Sequence, residues 1–162
     1  MNLEPKRDLR KKCRLLLQGF REPKSWDGGA TDSPVVSLST IRTLVFMAGV
    51  AGDILSSVDV ATAFLQSVAY SDSDPARYVY YQPHKGAKPR YYQLLGPLYG
   101  QRSASMMWFK TLRAWLHSEC LVSAKNDPCL FVNPKPGRRV GGGVEHLLVR
   151  GWTTESATGH ET

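Results

Sequence analysis

Residues 37–60 read SLSTIRTLVFMAGVAGDILSSVDV, and the change of periodicity inside this stretch decides the fold class. Ile41, Leu44, Val45 and Ala48 recur at helical spacing, residues 37–39 supply a hydroxyl for the N-cap, and Gly49 and Gly52 bring the helix to an end. The following ILSSVDV alternates, so Ile54, Ser56, Val58 and Val60 share one face of a strand and Asp59 points the other way. Val58 and Val60 are expected in a core, which leaves the Asp59 carboxylate facing a cleft or solvent. This stretch thus pairs a helix with a strand, and the rest of the chain offers segments of both kinds.

Working outward, Lys6, Arg7, Arg10, Lys11, Lys12 and Arg14 crowd the start of the chain, ahead of an apolar run at Leu15, Leu16 and Leu17 that reads as a buried strand. The basic run is a strand or hairpin arm, a nuclear-localisation patch or a solvated charge run. Residues 21–36, rich in Gly, Pro, Asp and Ser, form a loop. Residues 78–81 and 90–94 are aromatic-rich and separated by QPHKGAKP, which predicts two paired strands. A long helix is expected over 98–120, with Trp108, Leu112, Trp115, Leu116 and Glu119 on adjoining faces, its aromatic stripe in the core, and Arg102, Lys110, Arg113 and His117 on another side. That basic side is either a phosphate-contacting stripe or a solvated face. Residues 129–132 read as a strand closed by the turn-rich NPKPGRRVGGG, with residues 144–149 as its hairpin partner. The polar, unpatterned GWTTESATGHET is expected to be disordered.

With 162 residues, the chain has room for one modest domain or part of a larger one. Hydrophobic residues at 42%, including four Trp, seven Tyr and five Phe, exclude wholesale disorder. Twenty-one Lys and Arg against fourteen Asp and Glu give a formal charge of +7, which favours polyanionic partners, nucleic acid first among them. No apolar stretch reaches bilayer length, and the start lacks the apolar segment of a signal peptide. Three scattered cysteines and the absence of an Asn-x-Ser/Thr sequon point to an intracellular setting without disulfides, with nucleus and cytoplasm both open. Four scattered histidines give no zinc spacing.

The blocks KKCRLLLQGF, SPVVSLSTIRTL, SSVDVATAFL, PLYGQRSASMMWF and NDPCLFV occur in that order. In order and spacing they resemble the reverse transcriptase domain of copia-type retrotransposons, over about residues 11–132. The resemblance implies an α+β fold, the fingers and part of the palm of a right-hand polymerase, copying RNA or DNA primer-template with Mg2+ and deoxynucleotide triphosphates. Phosphoryl transfer of this kind uses two hard cations held by carboxylates. By the same resemblance Asp59 is a catalytic metal ligand, joined by the backbone carbonyl of Val60. Phe64 lies beneath the incoming sugar, and Lys12 and Arg14 grip the triphosphate. Arg102, Lys110 and Arg113 are the candidates for contact with nucleic acid.

Departures accompany the matches. Gln18 stands where the family usually has a basic residue before Gly-Phe, and Ser103, Ala104, Ser105 and Met106 occupy the family's Gln-Ala-Pro-Arg positions. The family's Tyr-x-Asp-Asp block has no counterpart, because no Asp follows Asp127 and Glu145, Glu155 and Glu161 are not adjacent to another carboxylate. The chain is therefore expected to comprise a basic arm over 1–10, a partial reverse transcriptase domain over 11–150 and a disordered tail over 151–162. It is expected to be incomplete at its carboxyl-terminal end and catalytically inactive alone, with a frameshift near residues 146–151 as the origin of the change. The competing expectation is a non-catalytic nucleic-acid-binding remnant, or a partner of a complete polymerase chain.

Overall fold

The computed structural model describes residues 2–5, 11–26, 31–134, 139–142 and 146–150, with residues 2–5, 11–13, 25, 139–142 and 146 as backbone alone. In chain order the first elements are β1 (Asn2–Pro5), β2 (Lys11–Arg14), α1 (Leu38–Ala51) and β3 (Leu55–Asp59). There follow β4 (Tyr78–Tyr81), β5 (Arg90–Gln93), α2 (Ala104–Ser118), β6 (Val122–Ser123), β7 (Leu130–Val132), β8 (Arg139–Gly142) and β9 (His146–Arg150). The fold is α+β. It divides into two compact units, one of Met1–Asp32 with Phe64–Trp108, the other of Ser33–Ala63 with Phe109–Thr162.

In the first unit β1 and β2 pair antiparallel, Asn2 opposite Arg14 and Pro5 opposite Lys11, so part of the basic run is a hairpin strand. Lys6, Arg7 and Arg10 lie outside the described residues. The leucine run differs from expectation: the strand ends at Arg14, and Leu15 and Leu16 are about half exposed. Leu17 instead donates its N–H to the Tyr99 carbonyl at 2.7 Å, a single backbone tie in place of a ladder. β4 and β5 pair antiparallel as expected, in a register that sets Tyr80 opposite Tyr91 and Val79 opposite Tyr92.

In the second unit the predicted helix is α1, with Ser37 as N-cap, its hydroxyl accepting the Thr40 N–H at 3.1 Å. Gly52, at φ 68, forms the left-handed C-cap, whereas Gly49 lies inside the helix. Leu44 and Ala48 are buried while Val45 and Phe46 are exposed, a narrower apolar stripe than the spacing implied. The sheet runs β3-β9-β8-β7-β6, every neighbouring pair antiparallel. Two expectations are corrected here. The segment read as a turn contains β8, and β9 pairs with β8 and β3, not with β7. A glycine- and proline-rich composition hid β8, whose glycines still donate and accept along the ladder.

α2 is shorter than expected at its start. Gly100 takes φ 84 and the Gln101 N–H bonds the Leu98 carbonyl, so a turn occupies residues 98–101 and Arg102 precedes the helix. Along α2, Trp108, Leu112 and Leu116 are buried at four-residue intervals and Trp115 is exposed. Leu116, Leu121, Cys129 and Phe131 are the largest fully buried side chains, with Leu147 and Val149 of β9 also buried. No helix among the described residues is long and apolar enough to cross a membrane. The tail expected over 151–162 lies outside the described residues.

Candidate functional site

Asp59 is the last residue of β3, exposed, and sits opposite His146 in the register with β9. The expected core anchoring around it is only partial: Val60 is half-buried, but Val58 is 44% exposed and Ile54 is exposed as well. β3 has a covered strand neighbour on one side, yet neither of its faces is fully packed. Just beyond, Thr62 is held at φ 53, a left-handed conformation that a β-branched residue rarely takes, and the chain turns there into the 3-10 segment Ala63–Gln66.

Arg14 and Phe64 belong to the first unit, where Tyr99 brings them together. The Phe64 and Tyr99 rings meet edge to face with centroids 5.3 Å apart, and the Arg14 guanidinium lies 5.7 Å from the Tyr99 ring centre. Sequence patterning alone did not single out Tyr99, which stands in the Leu-Tyr-Gly block. An aromatic flanked by a turn glycine was the available signal. Lys12 is on β2 opposite Glu4, with its side chain outside the described residues. Asp59 and Val60 fall in the second unit.

The loop before α2 is pinned by buried polar groups. Arg77, 6% exposed, donates from Nη2 to the Trp26 carbonyl at 2.9 Å and stacks 3.9 Å from the Tyr70 ring centre. The Tyr70 hydroxyl donates to Gln101 Oε1 at 2.8 Å, and the same oxygen accepts the Leu98 N–H. Burial raises the Tyr70 hydroxyl above its ordinary value, opposed by the nearby Arg77 charge and the Gln101 hydrogen bond. Ser103, in the family's Gln position, is buried.

The three nucleic-acid candidates separate. Arg102 donates from Nη2 to the Glu22 carbonyl and from its backbone N–H to Glu22 Oε2, both at 3.2 Å, so it ties two loops of the first unit together. It is not on the helical stripe. Lys110 and Arg113 are exposed one turn apart on α2, and Arg113 Nε contacts His117 Nε2 at 3.4 Å.

A family model described as reverse transcriptase (RNA-dependent DNA polymerase) matches residues 2–150. The chain belongs to that family. It is 30% identical over 127 residues to the retrovirus-related Pol polyprotein from transposon TNT 1-94 of Nicotiana tabacum, covering 76% of this chain and 9% of that protein. The same identity and coverage of this chain relate it to the Pol polyprotein from transposon RE1 of Arabidopsis thaliana, of which 8% is covered. The Ty1-DR4 Gag-Pol polyprotein of Saccharomyces cerevisiae is 25% identical over 79% of this chain and 8% of its own length. The resemblance to copia-type reverse transcriptases therefore holds, and the chain spans under a tenth of these relatives. No solved structure matches it.

For a reverse transcriptase the carboxylates decide which metal sites can form. Among the described residues, no three His, Cys, Asp or Glu side chains gather as a metal site requires. Asp53 is engaged by Arg150, whose Nε donates to its Oδ2 at 2.6 Å. Asp127 accepts from Thr40 Oγ1 at 2.6 Å and from the Ser37 and Cys129 N–H groups at 3.0 and 2.9 Å. Both are structural ligands of the protein itself. Asp59 is the one carboxylate that the resemblance assigns to metal, and a single carboxylate does not fit a pair of divalent cations.

Proposed function

We propose that this chain is the fingers and part of the palm of a retrotransposon reverse transcriptase, carrying nucleotide- and nucleic-acid-contacting residues but unable to extend a primer alone. The observation that supports this reading is the carboxylate inventory: we assign Asp59 to the family's first metal position, and within these 162 residues no Asp follows Asp127. Two divalent ions beside a triphosphate need several anionic oxygens to offset their mutual repulsion. Asp59 with the Val60 carbonyl offers part of one ion's ligand set. Arg14 and Phe64, gathered on Tyr99, are the residues we assign to the incoming nucleotide, with Lys12 beside them on the strand. Lys110 and Arg113 are assigned to the phosphate backbone. The combination suits an intracellular protein that meets primer-template either alone or paired with a complete polymerase chain.

The test is primer extension on an RNA or DNA template with Mg2+ and deoxynucleotide triphosphates. No nucleotide addition is expected from the wild-type chain. Metal-dependent addition that disappears in Asp59→Asn would overturn the claim of incapacity while upholding the family's use of Asp59.

A further inference from the structure

The hairpin of β4 and β5 exposes an aromatic face that none of the roles above uses. Tyr78, Tyr80 and Tyr91 project from the same side, at 58%, 57% and 70% exposure. Tyr80 and Tyr91 are cross-strand partners with ring centroids 5.7 Å apart at 68°, and the Tyr80 hydroxyl is fixed by donation to Gln82 Oε1 at 2.7 Å. The Tyr80 and Tyr91 rings meet across the two strands, so part of their side-chain freedom is already given up before binding. The hairpin is anchored at its base, where the Leu94 N–H bonds the Arg77 carbonyl and the Tyr70 N–H bonds the Leu95 carbonyl.

The connecting turn adds charge of one sign. Lys85 and Lys88 are exposed in it and Arg90 opens β5, whereas residues 75–98 contain no Asp or Glu. Gly86 at φ 92 and the Ala87 N–H to His84 carbonyl bond shape the turn, and Gln82 Nε2 braces it on the Ala87 carbonyl at 2.9 Å. On the opposite face, the Arg90 guanidinium donates to the Tyr92 side-chain oxygen.

We propose that the Tyr78–Tyr80–Tyr91 face and its basic turn form a stacking platform for single-stranded polynucleotide. The choice of occupant follows from charge and ring geometry. A second copy of this chain would bring the same uncompensated cations against the patch, whereas a polynucleotide brings phosphates to the lysines. Paired bases in a duplex have their ring faces covered by stacking. Unpaired bases present free π-faces of any sequence to tyrosine rings. This deepens the polymerase reading by naming a surface for the unpaired strand. It is measured as binding without catalysis, so its failure and a failure of that reading are separate results.

The experiment titrates the full 162-residue chain into fluorescein-labelled 15-nucleotide oligo-dT, and into a duplex of equal length, at several salt concentrations. The wild-type chain is expected to bind the single strand more tightly. Tyr80→Ala with Tyr91→Ala should weaken oligo-dT binding by about tenfold or more, and the paired Phe substitutions should retain it because stacking needs the ring and not the hydroxyl. Lys85→Ala with Lys88→Ala should flatten the slope of log affinity against log salt by roughly 1.4, about 0.7 for each phosphate no longer neutralised. The proposal is overturned by an absence of oligo-dT binding at low salt, or by unchanged binding in the double Ala variant. Equal losses in the Phe and Ala pairs, or sedimentation showing a wild-type dimer that Tyr91→Ala disperses, would likewise overturn it.

Discussion

At Gly19 and Gly100 two stretches of backbone approach so closely that only hydrogen fits as a side chain. A Cβ on Gly100 would run into the Leu17 carbonyl oxygen, and one on Gly19 into the carbonyl oxygen of Gly100. Gly100 also sits at φ 84, where an L-residue costs about 1–2 kcal/mol before any clash is counted. Gly100→Ala is therefore expected to lower the urea midpoint by about 1 M, given a slope of roughly 1–3 kcal/mol per molar for a small protein. An unchanged midpoint would mean that these two stretches of backbone do not meet this way in solution. The cysteines make a second residue-scale contrast. Burial pushes the Cys129 thiol up to about 11, with the Asp127 charge adding to it, while Cys120 is exposed just past α2. Iodoacetamide at pH 8 is expected to alkylate Cys120 in the native protein and Cys129 only after denaturant is added, since the thiolate is the reactive form. Peptide mapping that finds both labelled at one rate would refute the packing of β7. At this scale alternation led to an exposed Asp59 on a strand, but Val58, expected in the core on the other face, is exposed as well, so alternation alone does not set what a strand residue meets. The sequence did not disclose Tyr99 or Arg77, whose roles depend on partners some fifty to eighty-five residues away along the chain.

Elements show the same division between local and distant causes. α1 was readable because Ser37 and Gly52, its two caps, act within a turn of the helix they bound. Yet the amino-terminus of α1 has a third cap, which sequence spacing could not reveal: Asp127, ninety residues beyond Ser37, accepts the Ser37 N–H and the Thr40 hydroxyl. Burial alone would raise the Asp127 carboxyl, but these bonds and the Cys129 N–H outweigh it and hold the group below its ordinary value of 3.8. A carboxylate depressed in the folded state stabilises at pH values above its unfolded pKa, and that stability is lost as pH falls through the folded one. Asp127→Ala is expected to cost about 2–4 kcal/mol near neutral pH, from several hydrogen bonds to one charged acceptor. Asp127→Asn, which cannot ionise, should show a flatter loss of urea stability than wild type below about pH 4. Parallel acid limbs in the two proteins would show that Asp127 does not link β7 to the helix. β8 was missed for the opposite reason: the glycines of its segment are turn formers by local preference, and its neighbours β7 and β9 recruit Gly141 and Gly142 into a ladder.

Across the whole molecule the chain visits each unit twice, so neither can be completed by a continuous run of sequence. β9 carries the consequence for the sheet. It lies between β3 and β8, with Leu55 opposite Arg150 and Val140 opposite Val149, and Arg150 also ion-pairs with Asp53. The strand carrying Asp59 thus gains its hydrogen-bonded neighbour from residues about ninety positions later. Contacts at such separation incur loop-closure entropy before they return any stabilisation, and they form late. A chain ending at residue 145 loses the buried Leu147 and Val149 and leaves both β3 and β8 with unpaired edges. Hydrogen exchange should then find residues 55–59 unprotected, whereas a control ending at Arg150 keeps them protected. Equal protection in the two truncations would mean that β3 is ordered by something other than β9. Retention in the shorter chain of the slow exchange seen in the control would also remove the reason to regard Asp59 as positioned by the sheet.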